Sequence, residues 1–269
     1  MGASLNTYLK DLSYKYYLKK DSNELSKINN SKDNLFNNLD AQLGTRIKRR
    51  FIFGSFDRDT ILPRNYDTKS DIDIMVVFNH TEYERTPETY RNWLKTFADN
   101  TYAYRYGSEV VKTFPTVTIR LNNINYDLVP AMEEEFWLFQ PNIHIPSSGG
   151  GWQQTNPNDV KEKLVAQNTR YNSIVKPIIR LMKAWNSNKS YPYDSYELEL
   201  IITDMNFSGD NYETGFFYAV DSLSTSWNDT QTKRDKVESL QYNISQVKYY
   251  LDQWDLVKAK SWLHRVLPY

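Results

Sequence analysis

Apolar positions along the chain follow two rhythms, and the switches between them outline its elements. From residue 4 to 50 the pattern is helical, with Leu5, Tyr8, Leu9 and Leu12 three and four residues apart. The polar stretch from Lys19 to Asn34, rich in Asn and Ser, predicts a turn between two helices. The second helix is expected from Asn34 through Leu35, Leu39 and Leu43 toward Arg50. Strand signals follow: Phe51-Ile52-Phe53 is short and apolar, and Ile72 to Phe78 is rich in Ile and Val. Residues 87 to 99 predict a helix, with Pro87 in its first turn and Tyr90, Leu94 and Phe97 at helical spacing. Val117 to Leu121 and Ile124 to Val129 predict a hairpin closed by Asn122-Asn123, since Asn tolerates the positive φ of a tight turn.

Past Pro130 the pattern changes. Residues 141 to 158 hold Pro141, Pro146, Pro157 and Gly149-Gly150-Gly151, which predicts a long connection. Helical periodicity then dominates, with Tyr171, Val175, Ile178, Met182 and Trp185 on one face and Pro177 starting or kinking a helix. Asp194 and Glu197 have capping-box spacing before Leu198, Leu200 and Ile201. Further helices are expected near 213–223 and 235–263, and no internal repeat is visible. The expected fold class is α+β, a mixed α/β front half followed by a helical back half.

Composition narrows the chemistry. A chain of 269 residues with 40% hydrophobic and 25% charged content supports one large domain or two intimate lobes. Lys and Arg total 33, as do Asp and Glu, so no general basic coat for nucleic acid exists, although local patches are allowed. The absence of cysteine excludes disulfides, thiolate nucleophiles and sulfur-ligated zinc. His80, His144 and His264 are scattered, so a metal would be held by oxygen, which points to Mg²⁺ or Mn²⁺. No apolar run reaches membrane-spanning length and no signal-peptide pattern opens the chain, so no membrane association and a cytoplasmic location are expected. The 21 tyrosines mostly read as core and surface, with a minority free to stack on bases; Tyr191, Tyr193 and Tyr196 are candidates.

The acidic residues carry the sharpest signal. On a strand beginning near Asp71, Asp71 and Asp73 share one face, while Ile72, Ile74 and Val76 take the other. Carboxylates two residues apart on a strand are about 7 Å apart, within reach of one or two divalent cations. Asp127 shares a face with Asn125 and Val129 in the second hairpin arm and becomes a third carboxylate if that arm pairs beside the first strand. Three such groups repel one another unless metal neutralises them. Gly54-Ser55 follows a predicted strand, where Gly permits a tight turn and the Ser hydroxyl and neighbouring amides can hold triphosphate oxygens. Either signal alone is a common turn or strand end. Their combination is specific.

Three segments, Phe51-Ile-Phe-Gly-Ser-Phe-Asp-Arg-Asp-Thr60, Ser70-Asp-Ile-Asp-Ile-Met-Val-Val-Phe78 and Asn125-Tyr-Asp-Leu-Val-Pro-Ala131, resemble the polymerase-β-type nucleotidyltransferase superfamily. More narrowly they resemble the bacterial cGAS/DncV-like nucleotidyltransferases (CD-NTases), which make cyclic oligonucleotide signals in CBASS antiphage systems. The resemblance extends to Gly151-Trp-Gln-Gln-Thr-Asn-Pro157, Lys176 to Asn186 and Ser195 to Glu199, and covers about residues 45 to 205. It implies a nucleotidyltransferase core with N-terminal helices over 1–140 and a helical, oligoadenylate-synthetase-like lobe over 141–269, with the active site in the cleft between them. It also implies that Asp71, Asp73 and Asp127 bind two Mg²⁺ ions, with Mn²⁺ as a substitute, and that Asp127 activates the attacking hydroxyl. Gly54 and Ser55 would hold the donor's β- and γ-phosphates, with Lys183 and Ser195 as further donor contacts; a solvated lysine and a helix cap are the competing readings of those two. The implied reaction joins ribonucleoside triphosphates, ATP among them, into a cyclic di- or trinucleotide and releases pyrophosphate.

The densest basic cluster, Arg46, Lys48, Arg49 and Arg50, lies just upstream of the catalytic strand. Either it is a solvated helix face or it contacts a controlling nucleic acid; animal relatives of this group sense duplexes through basic surfaces, and RNA is favoured over DNA as activator by that analogy. Two rival readings are a nucleotidyltransferase toxin that modifies tRNA or protein, and a catalytically inactive nucleic-acid-binding relative. The complete set of Asp71, Asp73 and Asp127 argues against the latter.

Overall fold

The computed structural model describes residues 3–136 and 139–269. In chain order the elements of the first half are α1 (Asn6–Lys15), α2 (Asn23–Leu43), β1 (Ile47–Phe53), α3 (Gly54–Asp57), β2 (Asp71–Phe78), α4 (Pro87–Ala98), α5 (Tyr104–Tyr106), β3 (Glu109–Val111), β4 (Val117–Arg120) and β5 (Asn125–Phe136). They are followed by β6 (Phe139–Pro146), β7 (Trp152–Thr155), α6 (Pro157–Arg170), α7 (Val175–Asn188), α8 (Ser195–Thr203), α9 (Tyr212–Ser222), α10 (Gln231–Asp252) and α11 (Leu256–Leu263). The fold is α+β, as expected.

Two compact units share the chain discontinuously. A sheet unit takes Lys19–Arg58 and Lys69–Asp159; a helical unit takes the stretch ending at Leu18, Asp59–Thr68 and Val160–Tyr269. This division departs from the expected boundary after residue 140. α1 joins the helical unit because Leu5, Leu9, Leu12 and Tyr16 enter its core, and β6 and β7 join the sheet unit because β6 pairs with β5.

In the sheet unit the strands run in the order β1-β2-β5-β4-β3, with β6 and β7 continuing from β5. β2 and β5 are parallel; β1–β2, β4–β5 and β3–β4 are antiparallel. The central strand β2 is buried on both faces along Ile74 to Phe78, as parallel pairing requires. Met75, Val77, Val129, Ala131 and Ile143 form one apolar cluster, with Phe51 and Phe53 packed against it. On the opposite parity Phe78 stacks on Tyr90 of α4, ring centroids 4.3 Å apart, and the Tyr126 hydroxyl bridges Ser31 at 2.6 Å and the Ile28 carbonyl at 2.9 Å.

Three elements differ from the sequence reading. α2 begins eleven residues before the expected Asn34, capped by the Ser22 hydroxyl accepting from the Leu25 amide, because Ile28, Leu35, Leu39 and Leu43 all face the core. The helix stops at Leu43, so Lys48, Arg49 and Arg50 lie on β1 rather than on a helix face. The expected connection over 141–158 is largely a hairpin, His144 opposite Gln154, whose loop carries Gly150 and Gly151 at φ 83° and 75°. Glycine is what those turn positions admit without strain.

The helical unit packs around α7, where Val175, Ile178, Ile179, Leu181, Met182 and Trp185 are buried among residues of α1, α8, α9 and α10. Asp194 caps α8 by accepting from the Tyr196 and Glu197 amides. The single expected helix over 235–263 is two, broken at Trp254 with φ 61°.

The Tyr126 bridge ties α2 to the sheet through a buried hydroxyl. Tyr126→Phe is expected to destabilise the protein by about 1 kcal/mol, since it removes the buried hydroxyl's bonds and leaves Ile28 and Ser31 only their bonds to each other and to Asn123. Urea unfolding of the two proteins checks this through a shift in midpoint at constant slope.

Candidate active site

Strand register sets the site. Asp73 of β2 stands directly opposite Asp127 of β5, and Asp71 opposite Asn125. Partners in a parallel ladder project to the same side, so Asp71, Asp73 and Asp127 share one face of the sheet. That face is half-buried and acidic at this end and turns apolar two residues further on, where Met75 opposes Val129. Phe53 of β1 opposes Asp73 from the other side, which brings the following residue, Gly54, against the same carboxylate.

Gly54 is constrained twice. Its φ is 72°, and a Cβ built on it would lie 2.8 Å from Asp73 Cγ, inside the carboxylate itself. Only glycine satisfies both conditions. Ser55 follows in the single turn of α3 and is half-buried. The structure therefore brings the Gly-Ser turn, Asp73 and Asp127 together.

Asp127 differs electrostatically from an ordinary surface carboxylate. Burial raises its pKa, opposed in part by the Thr118 hydroxyl, which donates to Oδ1 at 2.5 Å, and by the Arg120 charge. Thr118 sits opposite Asp127 in the β4–β5 ladder, so the same hairpin supplies the carboxylate and its hydroxyl partner.

Among the described residues no group of three or more carboxylate, imidazole or thiol side chains forms a ready cage for a metal ion. The donors nonetheless fit a hard divalent cation: they are carboxylate oxygens on one face, two of them opposed in register. The histidines lie elsewhere, His80 on the Tyr90 hydroxyl at 2.9 Å, His264 on the Tyr8 hydroxyl at 2.5 Å, and His144 on β6 with its buried Nε2 3.4 Å from Glu134 and without a hydrogen bond among the described residues.

The remaining expected residues are placed less simply. Lys183 lies inside the helical unit, where Nζ donates to Glu199 Oε2 at 2.5 Å and to Thr60 Oγ1 at 3.4 Å. Its side chain is 6% exposed, so the expectation of an outward phosphate contact gives way to a buried ion pair. Ser195 opens α8, and because Asp194 is the cap, the serine hydroxyl is not spent on capping. Tyr193 is core rather than a stacking surface, its hydroxyl donating to the Ser224 carbonyl at 2.7 Å; Tyr191 donates to Asp67; Tyr196 is exposed.

The basic cluster is largely neutralised at home. Lys48 and Arg49 converge on the buried carboxylate of Glu133, Lys48 at 3.0 Å; Arg50 pairs with Asp40; and Arg46 stacks on Trp93 at 4.7 Å. This is not the open basic stripe that a phosphate backbone would need. Among the described residues no helix is long and apolar enough to cross a membrane.

The chain matches the family model described as the Second Messenger Oligonucleotide or Dinucleotide Synthetase domain over residues 4–168. It is 27% identical over 187 residues to a cyclic AMP-AMP-AMP synthase of an Acinetobacter strain, covering 66% of this chain and 52% of that protein. It is 24% identical over 170 residues to the CBASS oligonucleotide cyclase CdnC of Escherichia coli, covering 58% and 50%. The chain thus spans about half the length of these curated relatives. Its fold is similar to that of the Bradyrhizobium diazoefficiens CD-NTase CdnG, solved in complex with GTP, at a TM-score of 0.69 and 12% identity over 97% of this chain and 98% of that one.

Two outcomes follow from the geometry. A carboxylate with a raised pKa binds its proton more tightly folded than unfolded, so ionisation destabilises the fold as pH rises through that pKa. Asp127→Asn is expected to raise the ligand-free melting temperature at pH 7 by about 1–3 °C, and the gain should vanish at acid pH, where Asp127 is itself neutral. Gly54→Ala is expected to lose at least about 1–2 kcal/mol from backbone strain alone. Scanning calorimetry between pH 4 and 8 measures both.

Proposed function

Because the chain belongs to the Second Messenger Oligonucleotide or Dinucleotide Synthetase family, the CD-NTase group that its motifs resemble, we propose that it is a metal-dependent cyclic oligonucleotide synthase. In this reading it joins ribonucleoside triphosphates into a cyclic di- or trinucleotide that serves as a signal in antiphage defence. The observation that carries the reading is the register pairing of Asp73 with Asp127 beside a glycine whose missing Cβ leaves room for Asp73.

The residues divide the work. Asp71 and Asp73 would hold divalent cations, Mg²⁺ by preference, and Asp127 would share one of them. When bound, these ions neutralise phosphate charge and polarise the phosphoryl group. Gly54 lets the backbone approach the donor, and the Ser55 hydroxyl donates to its terminal phosphates. A ribose 2′ or 3′ hydroxyl of a second triphosphate attacks the donor's α-phosphorus. A new P–O bond forms, the bond to the β-phosphate breaks, and pyrophosphate leaves with the electron pair. Asp127 takes the hydroxyl proton. Thr118 occupies Oδ1, which leaves Oδ2 for the cation and the hydroxyl. Repeating the transfer within the linear product closes the ring. Ser195, at the start of α8, is proposed as a further contact to donor phosphate or sugar.

Incubation with all four ribonucleoside triphosphates and Mg²⁺, followed by phosphatase treatment and mass spectrometry, tests the reading. A phosphatase-resistant cyclic product is expected, and Asp71→Asn or Asp73→Asn should reduce it by at least about 10²–10³-fold without loss of fold. Full activity in those variants, or label appearing in tRNA or protein instead, would overturn it. Parallel reactions with added RNA or DNA across salt concentrations test activation, for which charge reversal at Arg49 and Arg50 is the matching control.

A further inference from the structure

One buried polar cluster in the helical unit plays no part in that chemistry. α7 carries Lys176, Arg180 and Lys183 at positions i, i+4 and i+7, a single stripe along the helix. All three grip the two residues that follow Arg58, where the chain leaves the Gly54–Asp57 turn. Lys176 Nζ pairs with Asp59 Oδ2 at 2.9 Å. Arg180 donates to the Asp59 carbonyl at 3.0 Å and to the Ser13 carbonyl at 3.3 Å. Lys183 donates to Thr60 Oγ1, and the Thr60 hydroxyl donates in turn to Glu199 Oε2 at 2.9 Å, the same oxygen that takes Lys183.

Thr60 and Glu199 are fully buried, and Arg180 and Lys183 are 5% and 6% exposed. Buried charges are strongly destabilising unless paired and hydrogen-bonded, so a cluster of this kind holds its members in one arrangement. Asp59 has φ 61°, a left-handed conformation that favours glycine, and it is anchored at both its carboxylate and its carbonyl. The chain passes from the sheet unit to the helical unit at this step.

We propose that Thr60, through Lys183 and Glu199, is a positioning residue for the Gly54-Ser55 turn. The clamp fixes the backbone at the turn's exit, so that Ser55 meets the donor phosphates in one conformation. The consequence for phosphate binding rests on the synthase reading; the consequence for the turn's rigidity does not.

Thr60→Val removes the hydroxyl while keeping shape and leaves the Lys183–Glu199 pair in place; Thr60→Ser keeps the hydroxyl. Amide hydrogen exchange of residues 54–58 in the ligand-free full chain is the first readout. Thr60→Val should speed exchange there about tenfold or more, as expected for losing both of the hydroxyl's buried hydrogen bonds, and Thr60→Ser should restore the wild-type rate. The second readout is product formation from an equimolar mixture of the four triphosphates: the half-saturating concentration should rise about tenfold in Thr60→Val with kcat within about twofold, again restored by Ser. Should Thr60→Val fail to fold, Lys176→Met, which removes only the Asp59 ion pair, should speed exchange in the same segment. Unchanged exchange at 54–58 in the folded variants, or equal effects of Val and Ser, would overturn the clamp. A wild-type chain that forms no product removes the synthase reading, and the exchange result then decides the clamp alone.

Discussion

The parallel pairing of β2 with β5 is the constraint on which the rest of the molecule depends. A ladder shifted by one residue would turn Asp127 to the face of Tyr126 and Leu128 and leave Asp71 and Asp73 with no opposing carboxylate. Apolar packing fixes the register. Met75 and Val77 on one strand and Val129 and Ala131 on the other belong to one cluster, while Tyr126 and Leu128 are buried on the reverse side. The same alternation that builds the core therefore delivers three acidic groups to the open end of one face. Their mutual repulsion is held by burial elsewhere along the same strands.

Much of this was legible in the sequence because β2 announces itself through its Ile- and Val-rich run and the β4–β5 hairpin through alternation on either side of Asn122-Asn123, although neither asparagine adopts the positive φ expected of that turn. The alternation placed Asp71 and Asp73 together and Asp127 on the matching side. Which strand Asp127 would oppose was conditional, since a parallel partner lies far along the chain and local pattern does not specify it. The early start of α2 was obscured because its solvent face is built from Asn and Ser, residues that also make turns, while its buried positions, Ile28, Leu35, Leu39 and Leu43, are widely spaced. The β6–β7 hairpin was hidden by Pro141 and Pro146, which argue against a central strand, although Ile143 and Ile145 carry the alternation.

Charge was the least legible feature. Arg49 and Arg50 read as part of a surface patch, yet their partners, Glu133 and Asp40, come from elsewhere in the chain. Lys183 reads as a phosphate contact or a solvated lysine, and only the approach of α8 reveals Glu199 beside it. The balance of 33 basic and 33 acidic residues is thus met partly by pairs that face each other, not by separate surfaces of opposite sign. Pairing of this kind removes charge from the field that a polyanion would sense.

Asp127 and Glu199 show how the fold treats two buried carboxylates differently. Glu199 has a cation and a hydroxyl supplied by the protein, so its charge is settled before any ligand arrives. Asp127 has a hydroxyl and a more distant guanidinium, and burial leaves it holding its proton too tightly for an ordinary carboxylate. An unfinished environment is unfavourable in the ligand-free fold, and folding does not need it, because Asn would fill the same space. What it supplies is a carboxylate that a cation or a proton would stabilise, as the proposed synthase reading requires. The settled carboxylate belongs to the framework, and the unsettled one is the group to which the proposed reading assigns chemistry.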